Sequence, residues 1–312
     1  MKAFRRSNLP VWATLVVFVL AVTAASLRYE HFFSFDVFLN LLRDNAFLGL
    51  AAIGVTFVIL SGGIDLSVGA MIGFVGVFCA TLMNAGVPGS AAILLALAVG
   101  TLVGLGMGSL VAFYDLPPFL VTLAGMFLLR GMALVISMEA LRIDDPLFQA
   151  LGHSKWVAPG LLIAVLLLGV YLANFRPFGR AVYAVGGNEQ SALLMGLPVR
   201  RTKVLVYGLS GFCSSLGGVV FAFYTLSGNA NSGMTLELDA IAAAVIGGTL
   251  LTGGVGHLFG TLLGVLILGT IQTVISFEGT LSSWWTRIAV GLLLLAFIGL
   301  QKLFQAGRSE TP

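Results

Sequence analysis

The chain has 312 residues, 58% of them hydrophobic and 9% charged, with a formal net charge of +3. Its mean hydropathy is +1.04. A soluble domain is nearer a quarter charged, so a water-facing globular surface is excluded and lipid is the solvent for most of the chain. The small basic excess fits the cytoplasmic bias of Lys and Arg in membrane proteins and gives no reason to expect a nucleic-acid partner.

A membrane-spanning helix needs about 20 mostly apolar residues. Ten stretches qualify: 9–27, 44–61, 66–85, 90–113, 118–138, 157–174, 204–226, 236–252, 257–277 and 285–304. The second and eighth are the shortest or most Gly-interrupted, which sets a range of eight to ten. The first begins after Lys2, Arg5 and Arg6 and contains Ala24-Ala25-Ser26, as a cleavable signal would. Its apolar run exceeds the roughly 7–15 residues of a signal core and further spans follow, so it reads as an uncleaved anchor. With the N-terminus inside and ten crossings, Lys2, Arg5, Arg6, Arg176, Arg180, Arg200, Arg201, Lys203, Lys302 and Arg308 fall in the cytoplasm. Arg28, Arg43, Arg142, Lys155 and Arg287 fall outside. This asymmetry supports an all-α polytopic fold with both termini inside. The organisation is one membrane domain over 9–304, with residues 1–8 and 305–312 as cytoplasmic ends and 174–203 as the long cytoplasmic loop. Trp12, Trp156, Trp284 and Trp285 lie near span ends, as an aromatic belt requires.

SGGIDLSVG, residues 61–69, interrupts the apolar run of the second and third spans. Asp65 is a costly group beside the hydrocarbon. It reads either as a cap, with Ser67, on the next helix, or as part of a broken helix lining a path. Gly100, Gly104 and Gly108 recur at four-residue spacing, as do Gly256, Gly260 and Gly264, so each set offers a small face for close helix packing. Arg130 lies inside the fifth span and needs a partner; Asp65, Asp115 and Glu139 are the candidates.

SGNANSGMTLELD, residues 227–239, reads as an external turn whose Asn229 and Asn231 suit a neutral polyol. Glu237 and Asp239 then sit at the outer start of the eighth helix. That helix carries Gly247-Gly248-Thr249 and Thr252-Gly253-Gly254, the pattern of a discontinuous element. Asp65 to Gly73 and Asp239 to Gly247 share spacing five helices apart, which suggests inverted repeats.

His31, His153 and His257 show no ligand spacing, and Cys79 and Cys213 lie in apolar runs, so no metal site is expected. There is no GxxxxGK[ST], HExxH or GxSxG pattern. Catalysis within this chain is not expected.

NAFLGLAAIGVTFVILSGGIDLSVGAMIGF, LPPFLVTLAGMFLLRG, FGRAVYAVGGNEQSALLMGL and ELDAIAAAVIGGTLLTGGVGHLFGTLLGVLI resemble the permease subunits of sugar ABC importers of the ribose, arabinose and galactoside class. The likeness covers about residues 10–304, and FEGTLSSWWT draws it towards permeases of galactofuranose importers. It implies a bacterial inner-membrane subunit that binds no cofactor, with ATP and Mg held by cytoplasmic ATPase partners. It also implies a second permease chain, a sister sooner than an identical copy, and a periplasmic sugar-binding protein. The family couples to its ATPase through an EAA-x3-G loop. Gly186, Gly187, Asn188 and Glu189 lead into it here; Gln190, Ser191, Ala192 and Gly196 occupy its places, with Gln where the motif has Glu. Small residues at 191 and 192 would allow close docking, and Gly196 and Pro198 would end the helix. The resemblance leaves Asp65, Ser67, Asn229, Asn231, Asp239 and Thr249 as candidates for the path. A self-sufficient secondary transporter or channel is the rival reading, though the spans offer few ion-coupling groups.

Overall fold

The computed structural model describes residues 9–279 and 284–309. Lys2, Arg5, Arg6, residues 280–283 of FEGTLSSWWT and residues 310–312 of the tail lie outside the described residues. Among the described residues the chain is helical apart from one short strand pair. The helices are α1 (Leu9–Arg28), α2 (Phe35–Asp44), α3 (Ala46–Leu60), α4 (Val68–Asn84), α5 (Gly89–Phe113), α6 (Pro118–Ile136) and α7 (Pro146–His153). They continue with α8 (Val157–Phe175), α9 (Pro177–Gly187), α10 (Glu189–Leu194), α11 (Val199–Thr225), α12 (Leu236–Ile246), α13 (Leu258–Glu278) and α14 (Trp284–Ser309). Strands β1 (Leu141–Arg142) and β2 (Ser227–Gly228) pair antiparallel, Leu141 with Gly228 and Arg142 with Ser227.

Helix α3 is apolar on every side, and it is buried on every side, with only Phe47 partly exposed. Beside it α11 runs through the middle of the bundle and packs on α5, α3 and α4. The α5–α11 contact is made of small residues. Gly104 faces the Tyr207 carbonyl, Gly108 the Val204 backbone, and Gly211 the Gly100 carbonyl. Lipid gives no hydrophobic drive for two helices to meet, so this backbone-to-backbone approach supplies the dispersion contact instead. The outer faces of α5, α6 and α8 expose Leu94, Leu102, Phe127, Leu128, Leu167 and Tyr171, the apolar surface expected against lipid.

Contacts sort the connections into two ends. At one end Arg43 donates to the Gly152 carbonyl, Tyr224 to Asp44, Tyr29 to Glu278, and the Gly89 amide to Asp145. At the other end lie residues 61–63, 113–117, 176–198 and 247–257, where Arg200 stands over the Phe113 ring. The basic stretch 174–203 makes the second end cytoplasmic.

Among the described residues six helices are individually long and apolar enough to span, and the α2–α3 pair makes a seventh, bent by 56°; α4 and residues 284–299 of α14 are shorter apolar helices. Several local expectations are corrected. The bend falls at Asn45, so the second span begins with an amphipathic helix lying across the bundle end. The third span, α4, has 17 helical residues, and the eighth, α12, has 11. Gly256 is not on the packing face of α13, because His257 is extended and helix begins at Leu258. Gly260 and Gly264 remain on that face, against Gly247 and Ala243. The two stretches that suggested a repeat differ locally: Asp65 precedes α4, whereas Asp239 lies in the first turn of α12.

Candidate functional site

Two breaks in the bundle set the geometry, the first at residues 61–67 between α3 and α4. Irregular backbone inside a membrane bundle persists only when protein satisfies its polar groups. Here the Ile64 carbonyl accepts from Thr122 Oγ1 at 3.2 Å and from the Tyr207 hydroxyl at 3.4 Å. Asp65 is 1% exposed. Its Oδ1 accepts from the Ser67 amide at 2.9 Å and Ser67 Oγ at 2.6 Å, and its Oδ2 from Ser210 Oγ at 2.7 Å. Both oxygens are thus held by protein. Asp65 and Ser67 tie the break to α11; neither lines an open path, and neither side chain caps α4.

The second break begins at β2. Residues 229–235 form a run of turns that descends along the flank of α4. Gly228 lies on Gly76, the Ser232 carbonyl on Gly73, and Gly233 and Glu237 on Gly69. Only glycine at 69 and 73 leaves room for that descent. Arg130 holds the descending segment by donating from Nη1 to the Ala230 carbonyl at 2.5 Å and the Ser232 carbonyl at 2.8 Å. It therefore pairs with none of Asp65, Asp115 and Glu139. Asn229 folds into a local turn, accepting from the Asn231 amide at 2.9 Å. Glu237 and Asp239 sit at the start of α12 within the bundle, where the helix dipole favours them. Thr14 of α1 donates to the Ile246 carbonyl at 2.6 Å, satisfying the other end.

Among the path candidates Asn231 is exposed, and Asp239 is half-buried and lines a cavity. With Gln272, Ser276, Thr286 and Arg287 it lines a polar cavity of about 550 Å³, and Trp284 forms part of its wall. Thr249, by contrast, is fully buried, with Gly256 packed against it.

The cytoplasmic loop is a hairpin of α9 and α10. Asn188 caps α10 by accepting from the Ser191 amide at 2.7 Å. The far end closes with Gly196 at φ +76, its amide donating to the Leu193 carbonyl and the Leu197 amide to the Ala192 carbonyl. Ala192 is fully buried against Val185 and Val199, so it fixes the hairpin and is not part of an outer docking face. Lys203 binds Glu189 at 2.6 Å and ties α10 to α11. The outward face is instead Leu193, Leu194 and Met195; Leu194 is 89% exposed. The sequence signal for them is three consecutive apolar residues inside a polar loop. Beside them a groove of about 1240 Å³ is walled by Phe113, Asp115, Glu189, Arg200 and Lys203.

A helical bundle with this many apolar spans, two internal breaks and an exposed apolar hairpin tip is the architecture of a multi-pass membrane protein. A family model described as "Branched-chain amino acid transport system / permease component" matches residues 37–298. The chain belongs to this family of ABC-transporter permeases and is an inner-membrane protein. It is 48% identical over 307 residues to the inner membrane ABC transporter permease protein YjfF of Escherichia coli, covering 95% of this chain and 93% of the relative. It is 37% identical to the ribose import permease protein RbsC of Bacillus subtilis, covering 92% and 91%. It is 34% identical to the fructose import permease protein FruG of Bifidobacterium longum, covering 96% and 93%. No solved structure matches the chain.

Proposed function

We propose that this chain moves a monosaccharide inward by alternating access, powered by separate cytoplasmic ATPase subunits that bind ATP and Mg. The observation that carries the reading is the tip of α10. An apolar face of Leu193, Leu194 and Met195, turned to water on a capped and ion-paired hairpin, is an unpartnered surface of the kind that marks an interaction site. The chain itself does no covalent chemistry in this scheme.

The cargo reading rests on two supports. Ribose and fructose permeases are among the relatives, and the cavity at Asp239 offers carboxylate, amide, hydroxyl and guanidinium groups to sugar hydroxyls. Galactofuranose is the cargo that the FEGTLSSWWT likeness favours. A second permease chain, a sister more readily than a copy, completes the path, and a periplasmic binding protein delivers the sugar.

Reconstitution tests the proposal. Liposomes holding this chain, its sister permease and the ATPase should accumulate labelled monosaccharide from the binding protein only with ATP inside the catalytic compartment. Uptake by this chain alone, driven by an ion gradient with no ATPase present, would overturn the ABC mechanism in favour of a secondary transporter.

A further inference from the structure

Three glycine pairs meet at the cytoplasmic end of the bundle: Gly62-Gly63 after α3, Gly186-Gly187 at the end of α9, and Gly253-Gly254 in the loop after α12. The Leu60 carbonyl, left over at the end of α3, accepts from the Gly254 amide at 2.9 Å. Gly186 is wedged between those two groups. A Cβ there would collide with the Leu60 carbonyl oxygen and stand 2.6 Å from the Gly254 nitrogen. A Cβ on Gly253 would stand 2.8 Å from the Gly62 nitrogen and 2.9 Å from the Gly186 oxygen. Gly62, Gly253 and Gly254 have φ of +83, +84 and +73, a region that side chains disfavour. One residue turn along, Tyr183 of α9 donates its hydroxyl to the Gly256 carbonyl at 2.9 Å. The loop is itself braced, with the Leu250 amide donating to the Val255 carbonyl at 2.9 Å.

We propose that Gly186 and Tyr183 are positioning residues that transmit motion of the α9–α10 hairpin at once to the first break and to the loop after α12. The inference rests on the ABC-permease reading and adds to it the point of transmission inside the membrane domain. The alternative linkage through α11, by Lys203–Glu189 and Ser210–Asp65, reaches the first break, and neither of these pairs touches the loop after α12. At the glycine junction, backbone touches backbone with no side chain between. A shift of the end of α9 cannot be absorbed by a rotamer change, and close-packed contacts of this kind switch between discrete arrangements. Such a shift displaces the end of α3, and with it the Asp65 segment, together with the loop that follows the half-length α12.

The test compares Gly186→Ala, Tyr183→Phe and Gly106→Ala in the assembled transporter. Position 106, in α5 and outside the junction, is the control, since a Cβ there meets nothing within 4 Å. The readouts are complex yield, ATP hydrolysis, sugar moved per ATP, and nucleotide-dependent hydrogen exchange of peptides over 60–63 and 250–256. Gly186→Ala should lower sugar per ATP by about tenfold, and Tyr183→Phe by about threefold, the range of known coupling energies. Yield and ATP hydrolysis should stay near wild type, and the nucleotide-dependent exchange at both loops should fade while that of α10 persists. Gly106→Ala should match wild type throughout. The proposal is overturned if both test variants transport like wild type, if their losses follow complex yield, or if Gly106→Ala is equally damaging. A wild-type complex that shows no ATP-driven uptake counts against the permease reading. The exchange data on that same complex still decide the junction.

Discussion

Asp65 and Arg130 are charged residues set inside the bundle, and each is engaged with the irregular backbone at a break. Asp65 accepts three hydrogen bonds, and Ser210 alone serves its second oxygen. Ser210→Ala should therefore leave a buried acceptor unpaired and cost about 1–3 kcal/mol. A melting curve in detergent measures this, and an unchanged midpoint would show that Ser210 is not a required donor. Arg130→Met frees the Ala230 and Ser232 carbonyls without much change in volume. It should raise hydrogen exchange over residues 229–235 and reduce uptake, leaving α5 and α11 protected. Sequence alone marked both residues, because charge in an apolar run stands out. It did not disclose their partners. Backbone carbonyls of a descending run of turns leave no trace in composition, and the acids nearest in a helix count, Asp115 and Glu139, lie towards opposite ends of α6.

Among the elements, helix α10 of the cytoplasmic loop was the most legible. Asn188 before a six-residue helix and Gly196 after it are stop signals whose physics is local. The face it presents was less so, since six residues make too little helix for a periodicity and Ala192 turned inward. Leu194→Asp should leave the melting midpoint unchanged, because that side chain is 89% exposed, while removing ATPase co-purification. Retained co-purification would move the docking surface elsewhere. Helices α2, α7 and α9 escaped notice for a related reason. A window wide enough to find a span averages over short amphipathic helices at the bundle ends. The same averaging merged α12 with the glycine loop that follows it.

For the molecule as a whole, α11 is the member that the others share, and its contact with α5 is the tightest seam. Gly104→Val would drive a branched side chain into the Tyr207 carbonyl and should cost roughly 1–3 kcal/mol or prevent folding. Gly106→Ala in the same helix meets nothing within 4 Å and should be neutral. The pair, measured by yield and melting midpoint, separates a packing requirement from mere helix propensity. The four-residue glycine spacing made this seam visible in advance; the second stripe was read one turn too long because Gly256 continues the spacing beyond the helix.

The half-length α12 also bears on how the chain is made. At 11 residues, with Glu237 and Asp239 in its first turn, it is far below the roughly 20 apolar residues that enter a bilayer unaided. When it leaves the ribosome the translocon has no reason to retain it. α3, made long before it, offers α12 one flank, but its other flank is covered only after α13 follows, with Gly260 and Gly264 ready to receive Gly247 and Ala243. The hydroxyl of Thr14, synthesised more than two hundred residues earlier, then closes its last carbonyl. Nascent chains halted just after residue 254 should thus leave α12 extractable or accessible to water-soluble thiol reagents at an introduced cysteine. Chains extended through residue 279 should protect it. Insertion here follows pairs and not single helices, and the first helix waits for the twelfth.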